Sequence, residues 1–108
     1  AAMLAHARAW SEVNTGTSNL VGLATMAHIL ADAFAALPGE IALVEPAPVI
    51  AIDSAGREVE QAFGRHVVLR VRPAAERRVL LTGHMDTVFP ADHPFQHQHW
   101  IDDHTLVG

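Results

Sequence analysis

Val79-Leu80-Leu81-Thr82-Gly83-His84-Met85-Asp86-Thr87-Val88-Phe89-Pro90 decides how this chain is read. It starts as an apolar run short enough for a buried strand, reaches a glycine, and then sets a histidine and an aspartate two positions apart. In extended backbone, positions i and i+2 project to one face, so His84 and Asp86 share a face where the run Val79 to Thr82 ends. Open α/β sheets carry their ligand sites outside strand ends. A neutral imidazole is a ready zinc ligand, and a metal-bound histidine gives its other ring nitrogen to a carboxylate or carbonyl. Taken without their neighbours, the same two residues also describe a solvated pair or a local hydrogen bond on a loop.

Upstream of this stretch the pattern is helical, then extended. Ala2 to Trp10 reads as a short alanine-rich helix, and Ser11 to Asn19 as a polar break with several candidate caps. Leu20, Leu23, Ala27, Leu30, Phe34 and Leu37 recur at three- and four-residue steps, which predicts a helix over 20–37 ended by Pro38-Gly39. Met26 is expected in its core, and His28 as a partly exposed or hydrogen-bonded histidine. Ile41 to Val44 is a strand, placed at an edge by Pro46 and Pro48, and Val49 to Ile52 continues it after that break. Asp53 to Gly56 is a turn, Arg57 to Phe63 is ambiguous, and the alternating, valine-rich His66 to Val71 is a strand. Pro73 to Arg77 is a loop into the buried strand Val79 to Thr82. Two helices followed by several strands predict an α/β domain, a mixed sheet packed by helices on one face.

Downstream of Pro90 the chain is polar and rich in histidine. Gln98 to Ile101 and Thr105 to Val107 are read as two short strands joined at Asp102-Asp103-His104. Adjacent carboxylates in a turn point different ways, so Asp102 and Asp103 are read as turn residues and not as a catalytic pair. Five of the eight histidines lie between 84 and 104. His93 and His97 have helical spacing, but Pro94 breaks a helix between them. His97 and His99 suit one strand face, and a solvated cluster or adventitious nickel or copper binding is expected of them.

At 108 residues and 50% hydrophobic, the chain is one domain or part of one, with enough apolar content for a core. The net charge is −5 and all seven cations are arginine, with Arg77-Arg78 the only adjacent basic pair. That balance argues against a nucleic-acid partner. With no cysteine, disulfide frameworks and thiolate-ligated zinc are excluded, and a reducing, cytoplasmic setting is expected. The first ten residues lack the layout of a secretory signal, and since residue 1 is alanine the natural start is expected upstream. The greasiest segment, Leu20 to Leu37, carries His28 and Asp32 and is too short and polar for a membrane span.

With its flanks, Leu80-Leu81-Thr82-Gly83-His84-Met85-Asp86-Thr87-Val88 resembles the first metal-site motif of the zinc-dependent aminoacylase, acetylornithine deacetylase and glutamate carboxypeptidase superfamily. There a hydrophobic strand runs into Gly/Ser-His-x-Asp-Thr-Val. Trp10 and Asn14 to Asn19 resemble, less specifically, the segment leading into that family's second helix. Pro90 to Phe95 and Trp100 to Gly108 resemble its linker toward a second metal motif.

The resemblance implies a zinc-dependent exopeptidase-like fold. It also implies two zinc ions joined by an aspartate and a water, which polarise a scissile amide and activate the water. It carries over to two residues here, His84 as a metal ligand and Asp86 as the carboxylate that supports it in the catalytic site. The bridging aspartate, the general-base glutamate, the remaining ligands and the inserted dimerisation domain have no counterpart in the sequence. Residues 1–108 are therefore expected to form the N-terminal part of a metallohydrolase catalytic domain. The parent is expected to hydrolyse N-acyl amino acids or small peptide-like substrates, and the piece alone to be inactive. Unpaired sheet edges lead us to expect a homo-oligomer.

Two other readings stand beside this one. The chain is also read as a non-catalytic α/β binding or interaction module. A third reading is an unrelated mononuclear histidine-carboxylate metal protein, with further ligands among His93, His97, His99 and His104.

Overall fold

A computed structural model describes residues 2–107. Helix α1 spans Ala2–Ser11, and α2 spans Leu20–Phe34. Strands follow at β1 Glu40–Val44, β2 Val49–Ile52, β3 Glu58–Gln61, β4 His66–Arg70, β5 His99–Asp102 and β6 Thr105–Val107. The fold is α/β in the loose sense: two helices with small antiparallel sheets.

The core sits where α2 crosses β1 and β4. Gly22, Leu23, Met26 and Ala27 are the buried residues of α2, at the three- and four-residue spacing that keeps one face inward. Leu23 is 4% exposed and Ala27 1%. Only the middle of the sequence-derived stripe is covered: Leu20, Phe34 and Leu37 are exposed. Met26 lies in the core as expected, and His28 is exposed. The helix stops three residues short of the predicted end. The Ala35 amide bonds to both Ala31 and Asp32, and the Leu37 amide reaches back to Phe34, so the last turn tightens ahead of Pro38-Gly39. Asn19 caps the other end, its carboxamide oxygen accepting from the Gly22 amide at 3.1 Å.

β1 and β4 pair antiparallel, with Ile41 opposite Leu69 and Leu43 opposite Val67. Between them in sequence, β2 and β3 form their own antiparallel pair, Val49 opposite Gln61 and Ile52 opposite Glu58. Pro46 and Pro48 carry no N–H and divide the first pair from the second, with an Arg65–Glu45 ion pair beside the break. At the turn of the β2–β3 hairpin, Asp53 Oδ1 accepts from the amides of Ala55 (2.8 Å) and Arg57 (2.9 Å). Gly56 takes the left-handed φ of 77° that this turn requires. The region 57–63, ambiguous in sequence, thus holds β3, paired with a β2 that forms a separate sheet instead of prolonging β1. β5 and β6 form the expected hairpin, closed by the His104 amide on Asp102 Oδ1 at 2.8 Å.

Two expectations are corrected. The sheets are three separate antiparallel pairs, and no mixed sheet forms among the described residues. Val79 to Thr82 is neither a strand nor buried: Val79 is 86% exposed and Leu81 90%. A strand is completed by ladder hydrogen bonds to a neighbour, and none of the described strands pairs with this run. The result is an open molecule. Its radius of gyration is 17.0 Å, against about 13 Å for a compact chain of this length. Its accessible surface is 8688 Å², against about 5,800 Å² for a compact monomer of this mass. No helix among the described residues is long and apolar enough to cross a membrane.

Candidate metal centre

The site is assembled where the loop between α1 and α2 meets the chain just past Gly83. Thr15 and Thr17 flank a glycine, and their backbone reads Thr87: the Thr87 amide donates to the Thr15 carbonyl (2.9 Å) and the Thr17 amide to the Thr87 carbonyl (3.2 Å). This makes a single parallel bridge between Gly16 and Thr87. Glycine is needed there, because a Cβ on Gly16 would stand 2.5 Å from the Phe89 carbonyl oxygen. The hydroxyls of Thr15, which is buried, and Thr87 meet at 3.2 Å.

Asn14 organises the junction. Its Nδ2 donates to the Phe89 carbonyl (3.1 Å) and to Gln96 Oε1 (3.0 Å), while its Oδ1 accepts from the Gly16 amide (3.1 Å) and Asn19 Nδ2 (2.9 Å). Both donors and both acceptor positions of the carboxamide are in use. Asn19, which caps α2, also bonds to the Asn14 carbonyl, so the helix start and the loop are one hydrogen-bonded unit. A Cβ on Gly22 would overlap that same Asn14 carbonyl oxygen. Nearby, Phe89 stacks on His93 with ring centroids 4.4 Å apart and meets Phe95 edge-on at 5.1 Å.

His84 and Asp86 come together on this frame. His84 Nδ1 lies 2.9 Å from the Asp86 carbonyl oxygen and 3.2 Å from Asp86 Oδ1. Two acceptors face Nδ1, which makes it the proton-bearing nitrogen of the neutral ring and Nε2 the lone-pair nitrogen. The imidazole is 84% exposed and its described hydrogen bonds all fall on Nδ1, so Nε2 faces outward. The other carboxylate oxygen, Asp86 Oδ2, accepts from the Thr17 hydroxyl at 2.8 Å. That hydroxyl bond, with the neighbouring His84, holds the Asp86 carboxyl below the usual carboxylate range, against the opposing pull of partial burial. Thr17 is the site residue that reading the sequence missed. Its only signal there is the cluster of small polar residues Asn14 to Asn19.

The remaining histidines do not join this pair. His93 Nδ1 accepts from the Phe95 amide at 3.0 Å, and His97, His99 and His104 are exposed. Among the described residues no three His, Cys, Asp or Glu side chains gather around a point that could hold a metal. Asp102 serves the β5–β6 turn, where backbone bonds from His104 and Thr105 and the Thr105 side chain lower its carboxyl pKa. The shallow concavities lie elsewhere, at Pro38-Gly39 with Val71-Arg72 and at Trp100 to Asp103. The donor set thus fits one corner of a zinc site: an outward imidazole nitrogen with its second nitrogen held by a carboxylate. No family model, no curated protein and no solved structure matches the chain.

Proposed function

We propose that this chain carries the first metal motif of a di-zinc hydrolase that cleaves amide bonds in N-acyl amino acids or small peptide-like substrates. The reading takes residues 1–108 as the N-terminal part of an exopeptidase-like catalytic domain, acting as a homo-oligomer. It rests on the resemblance of Leu80 to Val88 to that superfamily's first metal motif, from which the two zinc ions and the substrate class are taken, and on the local geometry of these residues. The observation that carries it is the His84–Asp86 arrangement, in which Nδ1 is engaged and Nε2 is left outward.

In this reading His84 Nε2 holds one zinc ion. Paired zinc ions supply polarisation of the scissile carbonyl and activation of water. Asp86 fixes the tautomer of His84 and raises the basicity of the ring. A catalytic zinc usually takes three protein ligands. The others come from outside the described residues, and the chain by itself should bind zinc weakly and hydrolyse nothing.

The test measures metal content, melting temperature and turnover together on His84→Ala, Asp86→Ala and Asp86→Asn in the gene's full product. His84→Ala should lose one metal. Asp86→Ala should keep metal at saturating zinc and lose about 10–100-fold in activity, with Asp86→Asn milder. Wild-type turnover by Asp86→Ala with both metals bound sinks the assignment.

A second reading, a non-catalytic interaction module, is favoured by the exposure of Val79, Leu80 and Leu81. It expects all three variants to leave any activity per folded molecule unchanged.

A further inference from the structure

We propose that Thr17 is a positioning residue: its hydroxyl holds the Asp86 carboxylate in the orientation that keeps the Nδ1–H tautomer of His84 and leaves Nε2 open to a divalent cation. This rests on the metal-centre reading of His84 and extends it to a second segment of the chain.

A carboxylate torsion is broad and nearly two-fold, so one contact alone orients it poorly. Here the two oxygens are divided between two partners, Oδ2 to the Thr17 hydroxyl at 2.8 Å and Oδ1 toward His84 Nδ1 at 3.2 Å. The Thr17 hydroxyl has a competing acceptor, the Thr87 carbonyl, at the longer distance of 3.4 Å. Thr17 is itself fixed through the peptide that joins it to Gly16. Its amide bonds to Thr87, and the neighbouring Gly16 carbonyl accepts from the Asn19 amide at 2.7 Å, next to the start of α2. Its β-branched side chain has few rotamers open to it. The ring is exposed, so water competes for Nδ1 and for the carboxylate. The Asp86 carbonyl, at 2.9 Å, favours the Nδ1–H tautomer by itself, and the carboxylate adds to that preference for as long as it stays aimed at the ring. The α1–α2 loop therefore acts on the ring through a contact between residues 69 positions apart, Thr17 and Asp86.

The experiment reads the tautomer in the metal-free chain by imidazole ¹⁵N chemical shifts at about pH 8.5, some two units above the ordinary imidazole value. Thr17→Ser and Thr17→Ala both lose the methyl group, and they differ only in the hydroxyl. Thr17→Ser should keep the wild-type tautomer ratio of His84. Thr17→Ala should move it toward the Nε2–H form by about twofold or more, the scale of part of one solvent-exchanged hydrogen bond. Asp86→Ala sets the full extent of the change. The proposal is overturned when Ser and Ala at position 17 give the same ratio, including the case in which both undock the loop. No metal enters the measurement. Unchanged metal content in His84→Ala overturns the zinc reading and leaves this result standing, whereas equal Ser and Ala ratios overturn the role of Thr17 and leave the zinc reading standing.

Discussion

β4 and the run Val79 to Thr82 are made of the same material and end in opposite states. His66-Val67-Val68-Leu69-Arg70 is a strand, paired along its length with β1 and in contact with α2, its three apolar residues half-buried. Val79-Leu80-Leu81-Thr82 is at least as apolar, and it is unpaired and open to water. Burying a Val or Leu side chain contributes about 1.5–3 kcal/mol, so three such residues leave roughly 5–9 kcal/mol of burial unrealised. Apolar content creates a demand for cover. Ladder partners and a packing face decide whether the demand is met.

The comparison breaks most sharply at single leucines. Leu23→Ala removes a side chain wedged between α2 and the loop at Gly64, whose own Cβ would stand 2.9 Å from the Leu23 Cβ. It should lower stability by about 2–5 kcal/mol, read from the urea midpoint. Leu81→Ala, at an exposed position, should stay within about 0.5 kcal/mol of the parent. A cost at Leu81 equal to that at Leu23 would show the run to be covered in solution.

A smaller effect is expected at Gly22, and its sign is informative. Alanine in a helix interior is ordinarily worth about 1 kcal/mol over glycine. Here the added methyl would overlap the Asn14 carbonyl. Gly22→Ala should therefore destabilise by about 1–3 kcal/mol and release the loop. Stabilisation, with the Thr17 and Thr87 amides still protected from exchange, would show that α2 and the loop are not in contact.

The smallest effect separates structure held by burial from structure held by a polar turn. Asp53 has its carboxyl pKa lowered, first by the Arg57 amide and then by the Arg57 guanidinium. The folded carboxyl binds its proton less readily than the unfolded one. The stabilisation is therefore complete above the ordinary value of 3.8 and is lost as pH falls through the depressed folded value. Amide protection in β2–β3 should hold level down to about pH 4 and decline below it, and Asp53→Asn should flatten the profile. An unchanged profile in Asp53→Asn would assign the acid response to other groups.

Much of the local structure was legible. The alanine-rich start, the α2 stripe around Leu23, the valine alternation of β4 and the Asp102–His104 turn each carry their cause within a few residues. The pairing of strands was not, because the partner of Leu69 is Ile41 and nothing near either residue names the other. The Val79 run failed for the same reason: its composition states what it needs and not whether a neighbour exists. At the site, His84 and Asp86 were visible because they are two positions apart. Thr17 was not, because its contact with Asp86 is made by folding and leaves no local pattern.

The bridge that joins Thr15 to Thr87 closes a loop of 72 positions, whereas the β5–β6 hairpin closes within a handful. Loop-closure entropy grows only slowly with length, but it must be met before a distant contact returns anything. Helices and hairpins have no such delay. The folding order that follows puts α2 and the hairpins first and the union of the two loops last. The same order, run backward, makes that union the first part of the molecule to open. Its exchange with solvent then reports on the His84–Asp86 segment alone while the rest of the chain stays closed.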